Sequence, residues 1–232
     1  MEKVKVLGIC ASPRSGNTEF CVKQALKAAE EINDIETEFI HLKDHKINPC
    51  TGCFKCADPK QVRPGRLCQT WQDDGDKLLL KMIQADGVIF GTPVWYFSIS
   101  SKLKTFIDRW EPTNVYSATD ARKLFNPYQV VGAIAVGYNR NGGQEQAILE
   151  IIKVALGFDR ICVGSFAGET PGCYFGGAVV LWPERSAKFL NPNWAEIAKK
   201  DELGLKSVKG VGRRVAEVAR IMKAGSIALK KV

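Results

Sequence analysis

Short apolar runs of strand length alternate along this chain with stretches in which apolar residues return at helical spacing. Val4, Val6, Leu7 and Ile9 form the first run, and residues 11–18, rich in Ser, Gly, Pro and Asn, break it. Phe20, Val22, Ala25, Leu26, Ala28 and Ala29 then follow a helical period. Residues 35–41 alternate as a second strand, closed by a polar turn at Lys43, Asp44 and His45. Asp73 and Asp74 cap a helix through Leu78, Leu79, Leu80 and Ile83, and residues 87–91 are an apolar third strand. A helix ending at Asp108 and Arg109, a fourth strand at 129–137, a helix at 145–156 and a fifth strand at 160–166 complete the alternation. No periodicity holds over about 167–206, and a last helix is expected at about 211–222. Strands that are apolar throughout belong inside a sheet covered on both faces, so this order predicts an α/β fold. Its core is a doubly wound, five-stranded parallel sheet in the order 2-1-3-4-5, in one domain over residues 1–232. A cysteine-rich insertion at about 48–72 follows the second strand, and the irregular stretch is expected to be an arm at a subunit contact or a lid.

The break after the first strand carries chemistry. Ser12, Arg14, Ser15, Gly16, Asn17 and Thr18 sit over the start of a helix, where unpaired backbone amides and the positive dipole end suit a phosphate. The loop matches neither G-x-G-x-x-G nor G-x-x-x-x-G-K-[ST], so a monophosphate fits better than a dinucleotide or ATP. An ordinary strand-to-helix turn capped by Ser and Thr is the plainer alternative. After the third strand, Pro93, Val94, Trp95, Tyr96 and Phe97 place aromatics at the strand's C-terminal end, where open parallel sheets bind ligands. Core packing is the competing reading of those aromatics.

Eight cysteines fall in this chain, and Cys50, Cys53, Cys56 and Cys68 are spaced C-x2-C-x2-C-x11-C. Three thiolates at intervals of three can surround one compact inorganic centre, with Gly52 allowing a tight turn. A [4Fe–4S]-type cluster fits best, with reduced redox thiols or zinc as alternatives. Cys10, Cys21 and Cys162 read as small buried residues, Cys173 is ambiguous, and the two histidines, His41 and His45, read as surface or strand-end residues. Asp108 and Arg109 read as helix-end charges that solvate or pair.

The net charge of +8 is concentrated late: residues 199–232 hold ten Lys and Arg against three Asp and Glu. That is either a solvated basic helix face or a dock for an acidic electron-transfer partner such as ferredoxin. The stretch has no aromatic residue to stack a base, so nucleic acid is not expected. With no long apolar run and a strand beginning at the third residue, neither a membrane span nor a signal peptide is expected, and the protein should be cytoplasmic.

The first loop resembles that of the flavodoxin-like FMN proteins, where S-x-R-x-G-N-T holds the FMN phosphate. The run G-T-P-V-W-Y-F-S-I-S-S from Gly91, and Asn139 with Gly142 and Gly143 after the fourth strand, are similar to the second and third flavin-contacting loops of the same family. With the compact cysteine motif, the chain is identified as a member of the iron–sulfur flavoprotein branch of the NAD(P)H-dependent FMN reductases. The gap before Cys68 is longer than that branch usually has. The resemblance implies FMN and an iron–sulfur cluster as cofactors, oxidoreductase chemistry carried by them rather than by catalytic side chains, and a homodimer or homotetramer. Two alternatives stand beside it: a cluster-free FMN or quinone reductase using NAD(P)H, and a non-catalytic electron carrier or redox sensor.

Overall fold

The computed structural model describes residues 3–114, 116–165, 175–181 and 197–229. Strands β1 (Val4–Cys10), β2 (Ile35–His41), β3 (Gly87–Pro93), β4 (Val130–Gly137), β5 (Ile161–Cys162) and β6 (Gly177–Val180) form one parallel sheet. The strand order is β2-β1-β3-β4-β5, as the alternation predicts, with β6 also paired to β4. The edge beyond β4 is shared. Val130 and Val131 pair with Ile161 and Cys162, whereas Ile134 to Gly137 pair with Gly177 to Val180. The fifth strand expected at 160–166 is therefore two residues long, and the rest of its place is filled from the stretch expected to be an irregular arm. Residue 166 of that expected strand and arm positions 167–174 and 182–196, Cys173 among them, lie outside the described residues.

Neighbouring residues of a strand point to opposite faces, and the two faces bury separate cores. Helices α1 (Asn17–Ala29) and α5 (Glu202–Leu229) cover one face, packing Val22, Ala25, Val211 and Val215 against Val4, Val6, Ile89 and Ile134. Helices α2 (Gly75–Gln84), α3 (Ser101–Asp108) and α4 (Gln144–Gly157) cover the other, packing Leu79, Leu103, Phe106 and Ile148 against Leu7, Ile9, Val88 and Phe90. Gly212 lets α5 lie directly on α1, since a Cβ there would stand 2.0 Å from the Ala25 carbonyl oxygen. Among the described residues no helix is long and apolar enough to cross a membrane. The layers leave four segments at the carboxyl edge of the sheet: the loops after β1, β2, β3 and β4.

Candidate functional sites

The loop after β1 folds on itself before α1 begins. The Ser12 hydroxyl donates to the Arg14 carbonyl at 2.6 Å and accepts the Arg14 amide at 3.3 Å. Gly16 is the N-cap at φ 148°, ψ −139°, a region essentially reserved for glycine, and no side chain caps the helix. With glycine at the cap position, the backbone amides and positive dipole end of the first turn make the kind of helix start that suits an anion.

His41, expected at a surface or strand end, is buried at the end of β2 and supports this loop. Its Nε2 lies 3.0 Å from the Ser12 carbonyl oxygen, and its Nδ1 lies 3.6 Å from Glu19 in the first turn of α1. Burial holds the imidazole below its ordinary pKa, outweighing the Ser12 carbonyl and the Glu19 carboxylate, which favour the charged form.

Beyond β3, Trp95 and Ser98 exchange both backbone hydrogen bonds at 3.0 Å, making a two-residue hairpin turn with Tyr96 at φ 46° and Phe97 at φ 67°. Two successive left-handed residues are normally Asn-Gly, so an aromatic pair here is strained and held by its surroundings. Gly143, at φ 103°, supplies part of that hold: a Cβ would stand 2.5 Å from the Phe97 Cα. Glu150 on α4 accepts the Ser98 hydroxyl at 2.7 Å and the Ile99 amide at 3.2 Å. Ser100 caps α3 by accepting the Leu103 amide, and its hydroxyl donates to the Ala11 carbonyl at 2.8 Å, tying this loop to the first. The three aromatics are exposed, Tyr96 at 98%, so the core-packing reading does not hold for them.

One cavity of about 210 Å³ brings these loops together. Ser12, Arg14, Ser15, Gly16, Asn17 and Thr18 line one side, and Pro93, Val94 and Trp95 the other. Val136, Tyr138 and Leu181 close it, and the last of these comes from just beyond β6. Tyr96, Phe97, Asn139, Gly142 and Gly143 do not line it. Gln144 cinches Asn139 and Gly142 by donating to the Asn139 carbonyl at 2.7 Å and accepting the Gly142 amide at 2.9 Å. Asn17 lines the cavity while its Oδ1 accepts the Ala198 amide at 2.8 Å. The apolar run from Ala178 to Leu181 was the available signal for Leu181, masked by the glycines and prolines around it.

The loop after β2 builds a second cavity, of about 100 Å³, lined by all four motif cysteines, Cys50, Cys53, Cys56 and Cys68. Cys50 and Cys53 are exposed, Cys56 and Cys68 half-buried, and all are free thiols. Gly52 turns the chain at φ 63° and its amide donates to the Cys50 sulfur at 3.4 Å. Thr70 Oγ1 lies 3.1 Å from the Cys53 sulfur, and the Trp71 amide donates to the Cys68 sulfur at 3.3 Å. The Thr70 hydroxyl, helped by the backbone at Lys55, holds the Cys53 thiol below its ordinary pKa, while burial pushes Cys56 up to about 11. Among the described residues no group of three or more His, Cys, Asp or Glu side chains is already drawn close enough to hold a single metal ion. Burial raises the thiols of Cys10, to about 12, and Cys21, both fully buried; these are inert core residues, as expected.

Behind the cysteines lies a buried ion pair that the motif does not reveal. Arg109, just past α3, binds Asp73 through both guanidinium nitrogens at 2.9 and 3.1 Å. Burial alone would raise the Asp73 carboxyl, but the hydrogen bond from Arg109, with those from Asn48 and Gly75, holds it at about 2. Asp73 does not therefore simply cap α2 in solvent, and of the two fates expected of Arg109, solvation or pairing, it takes the second, as a buried residue.

Residues 4–167 match the model of the NADPH-dependent FMN reductase family. An iron–sulfur flavoprotein of Methanocaldococcus jannaschii is 38% identical over 221 residues, 95% of this chain and 100% of that protein. One from Methanosarcina thermophila is 30% identical over 94% of this chain and 97% of its own. A solved flavone reductase superposes with a TM-score of 0.64 at 20% identity, over 95% of this chain and 64% of that longer one, which shows the shared flavodoxin-like fold. Family match, full-length relatives and fold agree: the chain belongs to the NADPH-dependent FMN reductase family, among its iron–sulfur flavoproteins.

Proposed function

We propose that this protein is a redox enzyme holding FMN in the cavity beside Trp95 and a [4Fe–4S] cluster on Cys50, Cys53, Cys56 and Cys68, with electrons passing between the two. The observation that carries the reading is that four cysteines, separated by up to eleven residues, line one cavity at the same sheet edge as the phosphate-type loop. FMN exchanges two electrons together or singly, whereas a cluster passes one, so the pair can split or collect an electron pair.

The chain's part is placement and tuning. Gly16, Asn17 and Thr18 at the start of α1 hold the phosphate with backbone donors, and Arg14 adds charge. Trp95, with Pro93 and Val94, walls one side of the flavin cavity. Donors from Gly52, Thr70 and Trp71 draw charge from the cluster-binding sulfurs, which favours the reduced form. Exposed Cys50, Cys53 and Phe54 open this site to a partner protein, so electrons reach it by docking, and NADPH is the donor to test at the flavin.

Anaerobically purified protein should hold both groups, and sub-stoichiometric dithionite should reduce both by visible absorbance and electron paramagnetic resonance. Cys53→Ala should abolish the cluster signal and leave FMN bound. Zinc or no iron in the wild type, with NADPH reducing FMN directly, would return the protein to a simple flavin reductase.

A further inference from the structure

The two cysteine-bearing arms are drawn together by side chains from outside the motif. Arg109, with a side chain 2% exposed, donates to the Asn48 carbonyl at 2.9 Å, to both Asp73 oxygens and to Asp76 at 3.4 Å. Asp73, with a fully buried side chain, accepts the Asn48 amide at 2.8 Å and its side-chain nitrogen at 2.9 Å, just ahead of Cys50. Asp76 accepts the amides of Leu67 at 3.0 Å and of Cys68 at 3.0 and 3.1 Å. Gly75 leaves room for the guanidinium, because a Cβ there would stand 2.9 Å from its Nη2. Arg109 also lines the cysteine cavity, and its charge lies close enough to interact with Cys68.

We infer that Asp73, Arg109 and Asp76 form a clasp of positioning residues that holds Cys68 in register with Cys50, Cys53 and Cys56 and sets the reduction potential of the cluster they bind. The inference rests on the cluster reading above. The long gap before Cys68 becomes workable in this geometry: a carboxylate fixes the Cys68 amide directly, and one guanidinium ties that carboxylate to the chain before Cys50. A fixed cation beside an anionic cluster favours its reduction, and a carboxylate opposes it.

The test compares wild type, Arg109→Gln, Arg109→Lys and Asp76→Asn, all purified anaerobically, by iron and sulfide content, cluster resonance spectrum and midpoint potential. FMN content and FMN potential serve as internal controls. Arg109→Gln should keep FMN and either lose iron or shift the cluster's one-electron equilibrium at least tenfold towards the oxidised form, about 59 mV. Arg109→Lys should recover most of that shift by keeping the charge, and Asp76→Asn should shift the equilibrium the other way. If Arg109→Gln does not fold, Asp76→Asn decides alone, since Asp76 lies at the surface end of the clasp. Full iron with unchanged spectrum and potential in the variants overturns the clasp and leaves the cluster standing, whereas a wild type without iron overturns the cluster itself.

Discussion

His41 shows how a residue whose sequence context is bland can shape a site. Nothing in the alternating strand 35–41 marks its last residue as a support for a loop 29 positions earlier, because that contact exists only once β1 and β2 pair. Its pKa is lowered by burial, so the folded chain binds fewer protons than the unfolded one just below the imidazole's ordinary value. Stability should therefore be full above about pH 6.5 and fall as pH drops through the window beneath it. Thermal or denaturant unfolding from about pH 7.5 to 5 checks this, and His41→Gln should flatten the profile. Arg109 was equally hidden: its charge was readable, but its partner Asp73 lies 36 residues away. Ser12 to Thr18 and the three close cysteines were readable, because the chemistry they need comes from residues adjacent in the chain.

Among the elements, the hairpin turn at Tyr96 and Phe97 is the strained one, and left-handed backbone costs non-glycine residues roughly 1–2 kcal/mol each. Phe97→Gly should raise the melting temperature of the flavin-free protein by about 2–4 °C. Trp95→Ala should instead leave stability nearly unchanged and raise the fluorescence of bound flavin by removing a quenching wall. Helix α5 was read from sequence at about 211–222 and runs from Glu202 to Leu229, because glycines at 204, 210, 212 and 225 dilute the helical signal. Packing on α1 overrides that propensity. The two kinds of glycine separate cleanly: Gly225→Ala meets nothing within 4 Å and should stabilise by about 1 kcal/mol. Gly212→Ala meets the Ala25 backbone and should destabilise despite the same gain in propensity; thermal melts of both decide. Strand β6 escaped the reading because its four residues, Gly177 to Val180, sit at the shortest length a strand pattern has and lie among glycines and prolines.

For the whole molecule, the parallel alternation made the sheet order readable, and the sheet order puts both cavities at its carboxyl edge. The basic excess of the C-terminal region is partly spent internally, since Arg213, Arg220 and Lys223 on α5 pair with Glu31, Asp34 and Asp86. The Arg213 and Arg220 pairs are exposed and contribute little each, and the half-buried Lys223–Asp86 pair joins them in seating α5 on the sheet. The cofactor complement is what the two cavities jointly assert. Iron, acid-labile sulfide and FMN, measured per chain on anaerobically reconstituted protein, test it most directly. The account predicts one FMN with about four iron and four sulfide per chain; flavin without iron, or zinc in its place, would contradict it.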